Sequence, residues 1–234
     1  MSINPTCITH WYPALLDLGI PTPRTVIVEL ESGLTEMCYG KQDQATESRI
    51  ELSIAQITAA CDQIGYPCFL RTGLTSGKHD WEKTCHVPNR DSLPKHIYNI
   101  VEYSEMVDIV GLPSNVWAAR ERLPTAPLFT AFYGKMPITR EFRLFVRDGK
   151  RDHIQAYWPP DSIERPSVGN WEELLYVASH IADGELQYLT AQSERIGERL
   201  GGYWSIDWLE TKDGQWFCTD LAEGDKSFRW NDNT

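Results

Sequence analysis

Two aspartates near the end of the chain carry the clearest chemistry. Tyr203-Trp204-Ser205-Ile206-Asp207-Trp208-Leu209-Glu210 and Gln215-Trp216-Phe217-Cys218-Thr219-Asp220-Leu221-Ala222 flank an Asp213-Gly214 pair. Runs rich in aromatic and β-branched residues around Asp-Gly predict a β-hairpin with a two-residue turn. With Asp213 and Gly214 as the turn, Lys212 pairs with Gln215, and counting outward sets Asp207 opposite Asp220. Opposed carboxylates, with Cβ atoms roughly 5 Å apart, are destabilising unless something positive lies between them. Mg²⁺ takes one or two carboxylates and leaves its other positions to water and phosphate oxygens, so the pair suggests a metal–nucleotide site. The alternatives are a solvated acidic face, or a register shifted by one residue that sends the two aspartates to opposite faces.

A second stretch, Arg71-Thr72-Gly73-Leu74-Thr75-Ser76-Gly77-Lys78-His79-Asp80-Trp81, combines glycines, hydroxyls and cations. Glycines let backbone N–H groups approach an anion, hydroxyls add donors, and Lys and Arg supply charge, which together make phosphate-cradling chemistry. It is not a P-loop, because His79 stands where the Mg²⁺-binding Ser or Thr belongs. An ordinary flexible surface loop has the same composition. Further along, Phe142, Leu144 and Val146 alternate with Glu141, Arg143, Phe145 and Arg147, so one face of that strand packs on a core and the other lifts Glu141 and Arg143 outward.

The elements that position these groups follow from periodicity. Arg24 to Leu30 reads as a strand and Gly40 to Ser48 as a polar loop. Ser53 caps a helix with Ile54, Ile57, Cys61 and Ile64 at helical spacing, ended by Gly65. Tyr66 to Arg71 is a short strand, Leu93 to Val107 a helix, and Val116 to Glu121 a strand running into the connector Arg122-Leu123-Pro124. Arg140 to Val146 and Arg151 to Trp158 form a hairpin about Asp148-Gly149. Leu186, Leu189, Ser193, Ile196 and Leu200 mark a last helix, closed by Gly201-Gly202. Helices over mixed or antiparallel strands mean α+β.

Composition sets limits. The 234 residues carry a net charge of −11, the wrong sign for gripping nucleic-acid backbone without a local basic patch. No apolar run reaches the roughly 20 residues of a membrane span, and the first ten residues lack the features of a signal peptide, so a cytoplasmic protein is expected. Cys7, Cys38, Cys61, Cys68, Cys85 and Cys218 form no Cys-x-x-Cys pair and are expected as free thiols. Cys85-His86, with no partner pair nearby, reads as strand rather than as a metal fragment.

Taken together, FLRTGLTSGKHDW, REFRLFVRDG and WSIDWLETKDGQWFCTDL, in this order and with a proline-containing connector between the first two, resemble the ATP-grasp superfamily over Arg24 to Trp230. More narrowly they resemble its cell-division-cycle branch, the ATP-binding assembly chaperones of eukaryotic translation initiation factor 2. Phage and bacterial proteins share the layout. The resemblance implies two α+β lobes, residues 1–118 with the covering loop 71–81 and residues 119–234 with the terminal hairpin 203–222, and ATP between them. It implies Arg71 at the α-phosphate and Thr72, Thr75, Ser76, Gly77 and Lys78 over the β- and γ-phosphates. Backbone from Ala119 to Leu123 would border adenine, with Glu121 near the base or ribose. Arg143 and Lys78 would serve the transferring phosphoryl group, and Asp207 and Asp220 would hold Mg²⁺. One position departs from the family pattern, which places Asn two residues after the second carboxylate. Here that residue is Ala222, so either Glu223 or Asp225 supplies the missing ligand or one metal position is weakened. The implied activity is an ATP-dependent ligase joining an unidentified acid to an amine or thiol through an acyl phosphate. The alternative is an ATP-binding assembly chaperone for a protein partner. Neither membrane nor nucleic acid is an expected partner.

Overall fold

In the computed structural model, which describes residues 4–40, 42–107 and 111–230, the chain opens with α1 (Ile8–Asp17), β1 (Thr25–Glu29), α2 (Gln44–Ile64), β2 (Cys68–Thr72), β3 (His86–Val87), α3 (Leu93–Met106) and β4 (Val116–Glu121). It continues through β5 (Phe129–Ala131), β6 (Met136–Ile138), β7 (Glu141–Arg147), β8 (Lys150–Ala156), α4 (Trp171–Ala178), α5 (Asp183–Leu200), β9 (Tyr203–Glu210) and β10 (Trp216–Glu223). Helices with antiparallel sheets make this an α+β fold. Contacts divide it into a central unit, Arg24–Arg122 with Tyr133–Met136, and a terminal unit comprising everything up to Pro23, Leu123–Phe132 and everything from Pro137 onward. The first residues group with the C-terminal ones because α1 packs on α5 and β10.

The central unit is a four-stranded antiparallel sheet in the order β1-β4-β2-β3. Its core joins Ile57, Cys61 and Ile64 of α2 and Ile97, Ile100 and Val101 of α3 to Leu70, Trp117 and Ala119 of the sheet. Alternation along the strands then puts Phe69 and Arg71 of β2, and Ala118 and Arg120 of β4, on the face away from both helices. The helix expected to start at Ser53 starts at Gln44, because Asp43 caps it by accepting the Thr46 N–H at 2.8 Å. The first two turns are mostly polar, so no apolar period announces them. Ser53 sits inside the helix, its Oγ donating to the Arg49 carbonyl at 2.9 Å.

In the terminal unit the sheet order is β10-β9-β7-β8, antiparallel throughout. Phe142, Leu144, Val146, Ile206, Trp208 and Leu221 form one buried face, and α5 covers it. Trp208 Nε1 donates to Ser193 Oγ at 2.9 Å, and a Cβ on Gly197 would come within 2.5 Å of Val146 Cγ1, so only glycine permits the close approach of helix and strand. The helices α1 and α4 fall outside the periodic readings above. In α1 Pro13 stands inside the helix, a residue that normally reads as a break, yet Ile8, Trp11 and Leu15 are fully buried at helical spacing. All six cysteines are free thiols, and burial pushes the Cys85 thiol up to about 12, which leaves it unreactive. Among the described residues, no helix is long and apolar enough to cross a membrane.

Candidate functional site

Asp207 and Asp220 do pair across β9 and β10, by a route different from a two-residue turn. Thr211 N–H donates to the Gln215 carbonyl at 2.8 Å and Gly214 N–H to the Thr211 carbonyl at 2.9 Å, so the turn is the three residues Lys212, Asp213 and Gly214. Gly214 takes the left-handed conformation such turns require, with φ 73°. This choice offsets the ladder by one, and Trp216 faces Glu210 and Cys218 faces Trp208. Continued unchanged, the offset would set Thr219 against Asp207. A β-bulge between Cys218 and Asp220 absorbs the extra residue and restores Asp220 opposite Asp207. Thr219 Oγ1 donates to the Asp207 carbonyl at 3.3 Å.

The same register runs on across the sheet. Arg143 of β7 pairs with Asp207 on one side and Gln155 of β8 on the other, so Gln155, Arg143, Asp207 and Asp220 form one row over four strands. Arg143 grips Asp207 with both arms of its guanidinium, Nε to Oδ1 at 2.7 Å and Nη2 to Oδ2 at 2.8 Å, and lies 4.7 Å from the Tyr157 ring centroid. Burial works against the guanidinium charge, but Asp207 more than offsets it, with Tyr157 and Asp220 adding to the same effect, and the Arg143 pKa rises. The positive charge beside the carboxylates is therefore Arg143 itself.

Glu223 and Asp225 do not join this row. Glu223 lies an odd number of residues beyond Asp220 and pairs with Trp204 on the other face of the strand, and its carboxylate accepts from Lys226. Asp225 ion-pairs with Arg147 at 3.8 Å. Ala222 faces Ser205, whose Oγ lies 2.5 Å from Ser227 Oγ. Among the described residues, no three His, Cys, Asp or Glu side chains converge. The face expected to be open is in part covered by the segment after β10. Phe228 accepts from Gln155 Nε2 at 3.2 Å, Trp230 N–H donates to Gln155 Oε1 at 3.2 Å, and the Arg229 guanidinium lies 5.6 Å from the Phe145 ring centroid. Glu141, on the same face, is also buried and accepts from Thr139 Oγ1 at 2.8 Å and Trp158 Nε1 at 3.1 Å.

In the central unit, Arg71 is buried on the helix-free face, its Nε donating to the Thr72 carbonyl at 3.1 Å. Thr72 is buried and turned inward. Its Oγ1 donates to the Thr75 carbonyl and accepts the Thr75 N–H at 3.0 Å, so it shapes the loop from within. Thr75, Ser76 and Lys78 stay partly exposed. Gly77 adopts φ 60° and its carbonyl accepts from Thr84 Oγ1 at 2.8 Å, which fixes the exit of the loop. Glu121 Oε1 accepts the Arg24 N–H at 2.7 Å, and so ties β1 to the end of β4. Leu123 follows in the connector, on the other side of the division between the units.

Two further features of this unit carry no signal in the sequence. Gly134 packs on the loop's backbone, where an added Cβ would lie 2.3 Å from Trp81 N, and its N–H donates to the His79 carbonyl at 3.3 Å. Arg120 is 3% exposed on the same face as Arg71. An arginine inside a short apolar strand gives no pattern that marks it.

The donor chemistry fits Mg²⁺ and a polyphosphate. Two neighbouring carboxylates suffice for a cation that draws its remaining ligands from water and phosphate, and a buried guanidinium followed by a Gly/Ser/Lys loop suits an anion.

No protein-family model and no curated protein matches the chain. Solved structures do. A C-terminally truncated Cdc123 from Schizosaccharomyces pombe matches with TM-score 0.59 and 11% identity, over 93% of this chain and 83% of that one. The ADP complex of PurK, N5-carboxyaminoimidazole ribonucleotide synthetase, gives 0.53 and 11%, over 93% and 44%. A RimK domain ATP-grasp protein from Sphaerobacter thermophilus gives 0.51 and 19%, over 93% and 59%. This chain thus spans about half the length of the last two. These likenesses establish the ATP-grasp fold.

Proposed function

We propose that the protein binds Mg·ATP and uses it to activate a carboxylate as an acyl phosphate, which an amine or thiol then attacks. The observation that carries this reading is the row of Arg143, Asp207 and Asp220 across three strands, in which two carboxylates lie beside a fixed cation. Arg71 and the donors of Thr75, Ser76, Gly77 and Lys78 would hold phosphate oxygens, while Asp207 and Asp220 would hold the metal. The metal, when bound, neutralises charge on those oxygens. Arg143, oriented by its two bonds to Asp207, and Lys78 would stabilise negative charge that grows during phosphoryl transfer. Because Asp207 holds it in place before any reaction, little is lost in ordering the Arg143 guanidinium.

A second reading is an ATP-binding assembly chaperone. It is favoured by Ala222 at the position where the family pattern carries Asn, and by coverage of 83% of the Cdc123 chain against 44% and 59% of the other two. The test is incubation with Mg·ATP and a panel of carboxylic acids and amines, followed by assay of ADP. Ligase activity gives ADP and phosphate only when acid and nucleophile are both present, or a trappable acyl phosphate with the acid alone. Steady ATP binding without ADP, together with stoichiometric capture of one protein, decides for the chaperone.

A further inference from the structure

We infer that Thr84 is the positioning residue of the Gly/Ser/Lys loop, through which α3 sets that loop for phosphate; this rests on the nucleotide-binding reading above. Thr84 lies outside the loop, yet it is 2% exposed and reaches back to it. Its Oγ1 is 2.8 Å from the Gly77 carbonyl and 2.8 Å from the Asp80 carbonyl. A hydroxyl donates one hydrogen, which the two carbonyls share, so Thr84 clamps the last glycine of the loop to the turn that follows. At the other end of the loop, Gly73 N–H donates to the Val116 carbonyl at 2.8 Å and Thr72 N–H to the Thr75 carbonyl at 2.9 Å. Leu74, Thr75 and Ser76, all partly exposed, therefore span two held points.

The exit of the loop is tied to one stripe of α3. His96, Asn99 and Tyr103 follow one another at helical spacing and share a helix face. His96 Nδ1 lies 2.6 Å from the Thr84 carbonyl, and facing a carbonyl it carries the hydrogen and donates. Asn99 Nδ2 donates to the Lys83 carbonyl at 2.7 Å. Tyr103 packs on the loop itself, since a Cβ on Gly77 would lie 3.2 Å from both Tyr103 Cγ and Thr84 Cγ2. The helix in turn is fixed by Ile97, Ile100 and Val101 in the core. Order passes from the core through α3 and Thr84 to Gly77. Ordering a loose loop on binding costs affinity, and a loop held beforehand avoids that cost. Removing the hydroxyl orphans neither carbonyl, because Gly77 also accepts the Asp80 N–H at 3.0 Å and Asp80 the Thr84 N–H at 3.0 Å. The fold therefore survives while the exit of the loop loosens.

Calorimetric titration of Mg·ATP into wild type, Thr84→Val, Thr84→Ser and Asn99→Ala tests this, with the ligand-free melting temperature of each variant as a folding check. Thr84→Val keeps the shape and removes the hydroxyl, and is expected to weaken Mg·ATP binding about three- to tenfold, the effect of one hydrogen bond. Thr84→Ser keeps the hydroxyl without the methyl group and should recover most of that loss, which a role in packing alone would not allow. Asn99→Ala frees the Lys83 carbonyl from α3 at a partly exposed position, and should give a smaller loss; it carries the test if Thr84→Val fails to fold. Wild-type affinity in a folded Thr84→Val overturns the inference, as does wild-type affinity in Asn99→Ala, which would detach the loop from α3. Equal losses in Thr84→Val and Thr84→Ser also overturn it, because the hydroxyl is then not the cause. Absence of Mg·ATP binding in the wild type is a different result, and refutes the parent reading.

Discussion

Asp207 and Asp220 are paired in the sheet yet do different work. Asp207 holds Arg143 by two short hydrogen bonds, and the pair is largely buried, with side-chain exposures of 16% and 9%. Removing one member of such a pair leaves the other charge buried, at a cost of about 3 kcal/mol or more. Asp207→Ala is therefore expected to lower the ligand-free melting temperature strongly. Asp220→Asn removes a carboxylate that faces both Asp207 and the Arg143 guanidinium while keeping an acceptor for the Leu221 N–H, so it should change ligand-free stability far less than Asp207→Ala while weakening Mg·ATP binding. Equal destabilisation by both, read from melting curves, would contradict this division. A second residue-scale prediction concerns acid. Hydrogen bonds from Arg140 hold the Glu185 carboxyl down at about 2 from 4.5, against the effect of burial and with help from the Ala182 N–H. A depressed carboxylate pKa contributes stability that is fully present above the unfolded value and is lost as pH falls from 4.5 toward 2. Wild type should lose melting temperature across that window more steeply than Glu185→Gln, and parallel curves would refute the linkage.

At the scale of elements, the terminal hairpin shows what a sequence can and cannot reveal. Its strands are legible because alternation constrains them, whereas the sequence pairs Asp207 with Asp220 only through a two-residue turn that the hairpin does not make. The actual path, a three-residue turn compensated by a bulge at Thr219, is not legible, because two offsets that cancel leave no trace in the spacing. The start of α2 escaped for a different reason, since its first turns present polar residues to water. Glu223, three residues beyond Asp220, falls on the other face of β10, as the period of two along a strand requires. The burial of Arg120 on the same face as Arg71 is not legible either, because it depends on strand register across the sheet rather than on neighbours in sequence. The loop's support by Gly134 is likewise a tertiary fact, and it yields a prediction. A Cβ there would meet Trp81 N at 2.3 Å and Asp80 C at 2.4 Å, both backbone atoms. Gly134→Ala should cost about 1–3 kcal/mol and weaken nucleotide binding by shifting the loop. Gly169→Ala, where an added Cβ meets nothing within 4 Å, is the control. Identical nucleotide affinities in the two variants would separate the loop from the ligand.

For the whole molecule, α+β architecture and ATP-grasp topology agree with the order of motifs along the chain, and solved structures share that fold at identities of 11% to 19%. What the fold cannot identify is the acceptor, since residues for an acid, an amine or a protein partner carry no spacing that a fold imposes. Both functional readings nevertheless require one event, binding of Mg·ATP. A ligand present at about 100 times its dissociation constant stabilises the native state by roughly 2.7 kcal/mol, which for a protein of this size corresponds to about 5–10 °C in melting temperature. The decisive measurement is therefore the melting temperature with millimolar ATP, with and without Mg²⁺, in wild type and Asp220→Asn. The account predicts a rise of several degrees that needs Mg²⁺ and shrinks in Asp220→Asn. An unchanged melting temperature in wild type with millimolar Mg·ATP would contradict it.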